Sequence, residues 1–445
     1  MTTLHQAAAA LAAGETTSRD LVEQCLGRIA DPAGEGARAF TKVHADKARA
    51  QAAAMDMLRQ AGRAPGPFAG IPVAVKDLFD LAGEPTPAGS KVLAEAPPAR
   101  ANAPLIQRML DAGFVIVGRT NMTEFAFSGL GINPHYGTPA SPWDRANRRI
   151  PGGSSSGTAV AVADGMAIAG LGTDTGGSCR IPAAMCGVVG YKPTARRVPI
   201  TGVLPLSTSL DSIGPLGNSV ACCAAIDAVL AGETVSDLVP ADVKGLRLAV
   251  PQNYFLDGLD GAVASAFDGA LRRLAAAGAL IIPTRLPEID EIAPANAKGS
   301  FSAAESYAWH RDLLARAEAG YDPRVSSRIL LGRTMLAADY VDLLRKRADI
   351  IARFNAATQD YDAILAPTCP LLPPRIADLA EEAAYTRANM LQLRNPTVMN
   401  FLDRCSISLP CHRPGEAPVG LMVSGETMGD ARLFRIAAGI EAALG

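Results

Sequence analysis

Residues 151–193, PGGSSSGTAVAVADGMAIAGLGTDTGGSCRIPAAMCGVVGYKP, decide how the rest of the chain is read. They contain two loops of small residues, Gly152-Gly153-Ser154-Ser155-Ser156-Gly157 and Gly172-Thr173-Asp174-Thr175-Gly176-Gly177-Ser178. Between them runs an apolar stretch, Thr158–Leu171. Glycine lets backbone approach a ligand closely and takes positive φ without steric cost. Two such loops, each ending on or containing a serine, predict hydroxyls held against a substrate by exposed N–H groups. Runs of Gly and Ser also make ordinary turns, which is the commoner use of such sequence. A phosphate cradle is a third reading, but neither loop ends on the Gly-Lys-Ser/Thr that a nucleotide-binding loop needs.

A serine hydroxyl is a weak nucleophile and requires a base. The five histidines (5, 44, 135, 310 and 412) all lie outside both loops. Arginine does not deprotonate in proteins. Lysine does once burial lowers its pKa from about 10.4 toward neutrality. Of the eight lysines, Lys76 ends the apolar run Ile71–Val75 and is followed by Leu78-Phe79, a setting that desolvates an ammonium. The competing reading has Lys76 snorkelling from a strand end. Lys192, in Gly190-Tyr191-Lys192-Pro193-Thr194, is a weaker rival, since a Pro turn usually faces solvent. Consecutive N–H groups of Thr175, Gly176, Gly177 and Ser178 form a candidate oxyanion hole, worth roughly 2.7–4 kcal/mol per donor in a transition state.

Composition narrows the classes. The chain of 445 residues is 49% hydrophobic, enough for a large core, and its net charge of −2 argues against a basic nucleic-acid-binding surface. Eight cysteines without a CxxC pair or a His at ligand spacing predict reduced core residues, no metal site and a cytoplasmic setting. The start, MTTLHQAAAALAAGE, lacks the basic residues of a secretory signal, and Asp164 interrupts the best candidate membrane span.

Along the chain, residues 2–31 read as helix with an N-cap at Thr17, and 45–61 as a second helix. Residues 103–112 read as a helix closed by Gly113, 114–118 as a buried strand, and Asn121 with Glu124 as a capping box opening the next helix. Strand and helix alternate again at 246–250, 260–277 and 279–283. The segment 297–360 reads as mostly helical, 363–367, 405–410 and 419–423 as buried strands, and 430–444 as a closing helix. The pattern predicts an α/β protein, a sheet with helices on its faces.

At these motifs the sequence resembles the amidase signature family. The likeness comprises GIPVAVKD at 70–77, GRTNMTEFA at 118–126, the PGGSSSG loop, GTDTGGSCRIPAAMCGVVGYKPT at 172–194 and SLDSIGPL at 209–216. It continues more weakly in YDAILAPT at 361–368 and PVGLMVSG at 418–425. The resemblance implies one compact domain over 1–445, with a mixed central sheet covered by helices on both faces. Its catalytic core spans about 65–220, and a divergent pocket region spans about 297–400. It implies an amidohydrolase with a Ser–cis-Ser–Lys triad: Ser178 as nucleophile, Ser154 bridging from 24 residues upstream (178 − 154), and Lys76 as base. The peptide bond entering Ser154 is expected to be cis.

Thr173, Asp174 and Arg180 are expected to orient the relay or hold the loop, Arg180 through an ion pair. The same resemblance suggests a pocket lined by Phe125, Phe127, Gly131, Ile132, Tyr307, Trp309 and His310. It implies a small-molecule substrate, a carboxylic or ureido-type amide, with no cofactor, no membrane or nucleic-acid partner, and a homodimer. SSRILLG at 326–332 resembles the A subunit of a glutamyl-tRNA amidotransferase, the alternative function. Against that, the stretch before it reads Ala-Gly-Tyr-Asp-Pro-Arg. A non-catalytic descendant of the fold is the remaining alternative.

Overall fold

The computed structural model describes residues 2–445. Eleven strands form one mixed sheet: β1 (Phe40–Val43), β2 (Pro72–Lys76), β3 (Val115–Thr120), β4 (Ala169–Asp174), β5 (Val189–Lys192), β6 (Ser212–Gly217), β7 (Arg247–Pro251), β8 (Leu280–Thr284), β9 (Ala363–Pro367), β10 (Ser406–Pro410) and β11 (Gly420–Ser424). Their order is β1-β3-β2-β4-β6-β5-β10-β11-β9-β7-β8. β2 lies parallel to both β3 and β4, while β4 meets β6 in antiparallel fashion.

β2 is buried on both faces, the reason its sequence is a continuous apolar run rather than an alternating one. Successive side chains still point to opposite faces. Val73 and Val75 join one core cluster with Leu4, Phe79 and Ile106, whereas Ala74 joins another with Val115, Val117 and Val160. The apolar stretch between the two glycine loops becomes helix Ser156–Ala163, which is almost wholly buried, and then β4. A helix apolar on every side belongs in a core. The register Val75↔Leu171 brings the carboxyl ends of β2 and β4 side by side, so Lys76 and Thr173 emerge at one edge of the sheet. Ligand crevices of α/β sheets sit at such strand ends.

Two local expectations are corrected. Residues 2–31 form two helices, Leu4–Ala13 and Ser18–Ala30, because Gly14 takes φ 71° and ends the first, and Thr17 with Asp20 caps the second. Asn121 and Glu124 do not form a capping box. Asn121 donates to the carbonyls of Arg38 and Gly137, and Glu124 accepts from Ser90 Oγ. Only a short turn, Glu124–Ala126, follows.

Candidate active site

Lys76 is the last residue of β2 and is fully buried. Its Nζ lies 2.7 Å from Ser154 Oγ and 2.8 Å from Thr173 Oγ1. Both partners are neutral hydroxyls, so no carboxylate compensates a charge on the amine at contact distance. Burial therefore lowers the Lys76 pKa to about 7, although the more distant carboxylates of Asp174 and Asp211 oppose the shift. A large share of this amine is uncharged at neutral pH.

Ser154 follows a cis peptide bond, Gly153–Ser154. Its loop is pinned on three sides by backbone bonds: Gly153 N–H to Gly129 O at 2.8 Å, Thr123 N–H to Ser154 O at 3.1 Å, and Ser155 N–H to Ser178 O at 3.3 Å. The last contact joins the two small-residue loops. Gly131 enables this packing: it holds φ +80°, and a Cβ there would sit 2.2 Å from Gly152 O.

Asp174 ends β4 and organises the second loop. Its carboxylate accepts from Gly177 N–H at 2.8 Å, Cys179 N–H at 3.1 Å, Arg180 Nη2 at 2.9 Å and Asn400 Nδ2 at 2.9 Å. Burial alone would raise its pKa, but the adjacent Arg180 guanidinium holds the carboxyl well below the usual carboxylate range. The Arg180–Asp174 pair is completely buried. Gly177 departs from expectation: its N–H is spent on Asp174 and is not available to a substrate oxygen. Among the described residues, the N–H groups of Thr175, Gly176 and Ser178 make no hydrogen bond. Thr175 Oγ1 donates to Asp211 at 2.5 Å.

Ser178, Thr175 and Gly176 face a cavity of about 520 Å³. Ser178 Oγ has no hydrogen-bond partner among the described residues. The walls include Leu206, Leu210, Phe301 and Phe401, with Ser128, Arg328, Asn389 and Arg394 as polar members and no Asp or Glu. Arg328 donates to Phe127 O at 3.1 Å and lies over the Tyr385 ring, with no carboxylate beside it.

The sequence matches the family described as Amidase over residues 20–434. This chain belongs to the amidase signature family. Among its relatives, 2-amino-5-chloromuconic acid deaminase of Comamonas testosteroni is 40% identical, covering 90% of this chain and 87% of that one. The A subunit of glutamyl-tRNA(Gln) amidotransferase from Chloroflexus aurantiacus is 36% identical over 98% and 96% of the two chains. The crystal structure of an amidase superposes with a TM-score of 0.90 at 33% identity, each chain covered in full at 100%. No helix of the described residues is long and apolar enough to cross a membrane.

Of the pocket residues expected from sequence, only Phe127 lines this cavity. Phe125 is buried in an aromatic cluster, 4.4 Å from the His310 ring and 5.1 Å from that of Tyr321. His310 bonds the Tyr321 hydroxyl at 3.0 Å and is held neutral by burial, with a pKa of about 3. Trp309 is 41% exposed, and Tyr307 packs beside a core cluster and against the Cβ position of Gly332. Gly131 supports the Ser154 loop, and Ile132 packs with Leu130 and Tyr385. Lys192 does not face solvent: it is buried in β5, donates to Pro193 O at 2.7 Å and has its pKa lowered by burial to about 8.

Of the missed residues, the largest group from one element is on helix Glu382–Phe401, where Asn389, Leu393, Thr397 and Phe401 line the cavity. Their spacing of four is one stripe of a helix, a signal visible in sequence that does not reveal what the stripe faces.

Proposed function

We propose that this chain hydrolyses a carboxylic amide (a linear C–N bond) to acid and ammonia or amine through an acyl-enzyme on Ser178. The observation that carries this reading is the contact of a desolvated Lys76 amine with Ser154 Oγ at 2.7 Å, behind a serine that faces a cavity.

In the proposed sequence, the Ser178 hydroxyl turns toward Ser154 and attacks the amide carbon. The Ser178 proton passes to Ser154, whose own proton passes to neutral Lys76. Hydrogen bonds of this kind often tighten only in the substrate complex. The carbonyl oxygen takes the negative charge and accepts from the N–H groups of Thr175, Gly176 and Ser178. Ser154 then protonates the nitrogen as the C–N bond breaks and recovers its proton from Lys76. Water attacks the resulting ester by the same relay, releasing the acid and restoring Ser178. Thr173 fixes the amine from its other side, while Asp174 and Arg180 hold the loop.

The cavity supports an anionic acyl group. It carries Arg328 and Arg394 and no acid, so a substrate carboxylate gains a charge-assisted partner there. The deaminase relative is named for an acid, in keeping with that polarity. The likeness to the amidotransferase chain supports a second reading, ammonia release from glutamine within a complex. Against it, glutamine brings an ammonium to a cavity without a carboxylate to pair with it. An assay over small aliphatic, aryl, ureido and carboxylate-bearing amides and glutamine, with Ser178→Ala as control, tests the proposal. Turnover of an acid amide by the chain alone is expected. Activity on glutamine only in a complex overturns the order of the two readings.

A further inference from the structure

Asp211 ties the loop beside Ser178 to the Leu206–Leu210 part of the cavity wall. Its Oδ1 accepts from Thr175 Oγ1 at 2.5 Å, and its Oδ2 accepts from the backbone N–H groups of Leu206 and Ser207, each at 3.0 Å. Leu206 and Leu210 line the cavity on that side, and Thr175 lines it beside Ser178. The next residue, Ser212, donates through Oγ to Asp174 O at 2.8 Å, so the strand that follows Asp211 is also tied to the end of β4. Asp211 is 7% exposed.

A buried carboxylate is costly unless its lone pairs are filled, and here one hydroxyl and two amides fill them. The hydroxyl bond is charge-assisted and correspondingly strong. It fixes the side chain of a residue whose own N–H is free and lies at the start of the row ending on Ser178.

We propose that Asp211 is a positioning residue for the reaction: through the Thr175 hydroxyl it aims the Thr175 N–H at the developing oxyanion and holds the Leu206–Leu210 wall at a fixed distance from Ser178. The proposal rests on the acyl-enzyme reading above. Asp211 touches no reacting atom, so its effect belongs on kcat.

The test compares Thr175→Val, Thr175→Ser, Asp211→Asn and the Thr175→Val/Asp211→Asn double variant on one amide substrate, after Ser178 has been titrated in the parent protein with a fluorophosphonate. Thr175→Val keeps the N–H and removes only the tether. Its kcat is expected to fall roughly 10- to 100-fold, below the loss from deleting a whole oxyanion donor, with KM within about twofold. Thr175→Ser restores the hydroxyl and most of kcat. The double variant is no slower than the slower single one, because both changes cut the same link. A parent Ser178 that is not labelled overturns the nucleophile assignment and this proposal with it. Labelled Ser178 with undiminished kcat in Thr175→Val, or losses that multiply in the double variant, overturn the positioning role alone. If Asp211→Asn does not fold, the Thr175→Val and Thr175→Ser pair decides.

Discussion

Lys76 Nζ and Ser154 Oγ meet at 2.7 Å in a place neither shares with water: both residues are 0% exposed. An ammonium there has no counter-ion in contact, so the proton is easily lost. The first prediction concerns pH. With the Lys76 pKa lowered by burial to about 7, kcat/KM rises as pH increases through that value, because the base form of the amine accumulates. A pH–rate profile with an acid limb of unit slope near neutrality checks this. Lys76→Arg, which cannot give up its proton, flattens the profile and lowers kcat by about 10³-fold or more.

Arg180 and Asp174 form a fully buried pair at 2.9 Å. Removing one partner strands the other charge in the core. Arg180→Leu is predicted to lower stability by about 3–5 kcal/mol, read as a fall in the urea midpoint at unchanged slope. Arg180→Lys does not rescue it, because one guanidinium reaches Asp174, Asn400 and Ser406 together.

Arg328 stands in the cavity wall with its charge unpaired by any acid. Arg328→Gln is expected to raise KM for an amide bearing a carboxylate by about tenfold or more, equivalent to about 1.4 kcal/mol. The neutral methyl ester of the same amide keeps its KM. Steady-state kinetics on the two compounds separate a charge contact from a change of shape.

Gly131→Ala tests the seat of the first serine loop. With φ +80° and a Cβ position 2.2 Å from Gly152 O, any side chain displaces the backbone next to Ser154. The variant is expected to lose about 1–3 kcal/mol of stability and most of its turnover, seen as a lower melting temperature with reduced kcat.

The sequence made the two serine loops and Lys76 legible because their chemistry is local. Glycine runs and a lone lysine after an apolar strand each carry their own physical reason. The β2 strand was legible for the same cause, since burial on both faces leaves a continuous apolar run, whereas the run 158–171 did not reveal that it divides into a buried helix and β4. The cavity was not. Its walls come from residues as far apart in the chain as Phe127, Leu206, Phe301 and Phe401, which only the folded chain brings together. The aromatic cluster of Phe125, Trp309 and His310 resembled a ligand box in sequence but is mutual packing in the fold. The Gly177 amide could not be distinguished from its neighbours without seeing Asp174 turn back onto it.

One relay carries the proposed reaction, from an uncharged amine through one hydroxyl to a second. Its most direct measurement is the rate at which a fluorophosphonate modifies Ser178, located by peptide mass spectrometry, in the parent protein and in Lys76→Ala and Ser154→Ala across about pH 5–9. The prediction is stoichiometric labelling of Ser178 that accelerates through about pH 7 in the parent and is slow and insensitive to pH there in both variants. Labelling at another residue, or of Ser178 at the parental rate without Lys76, would contradict it.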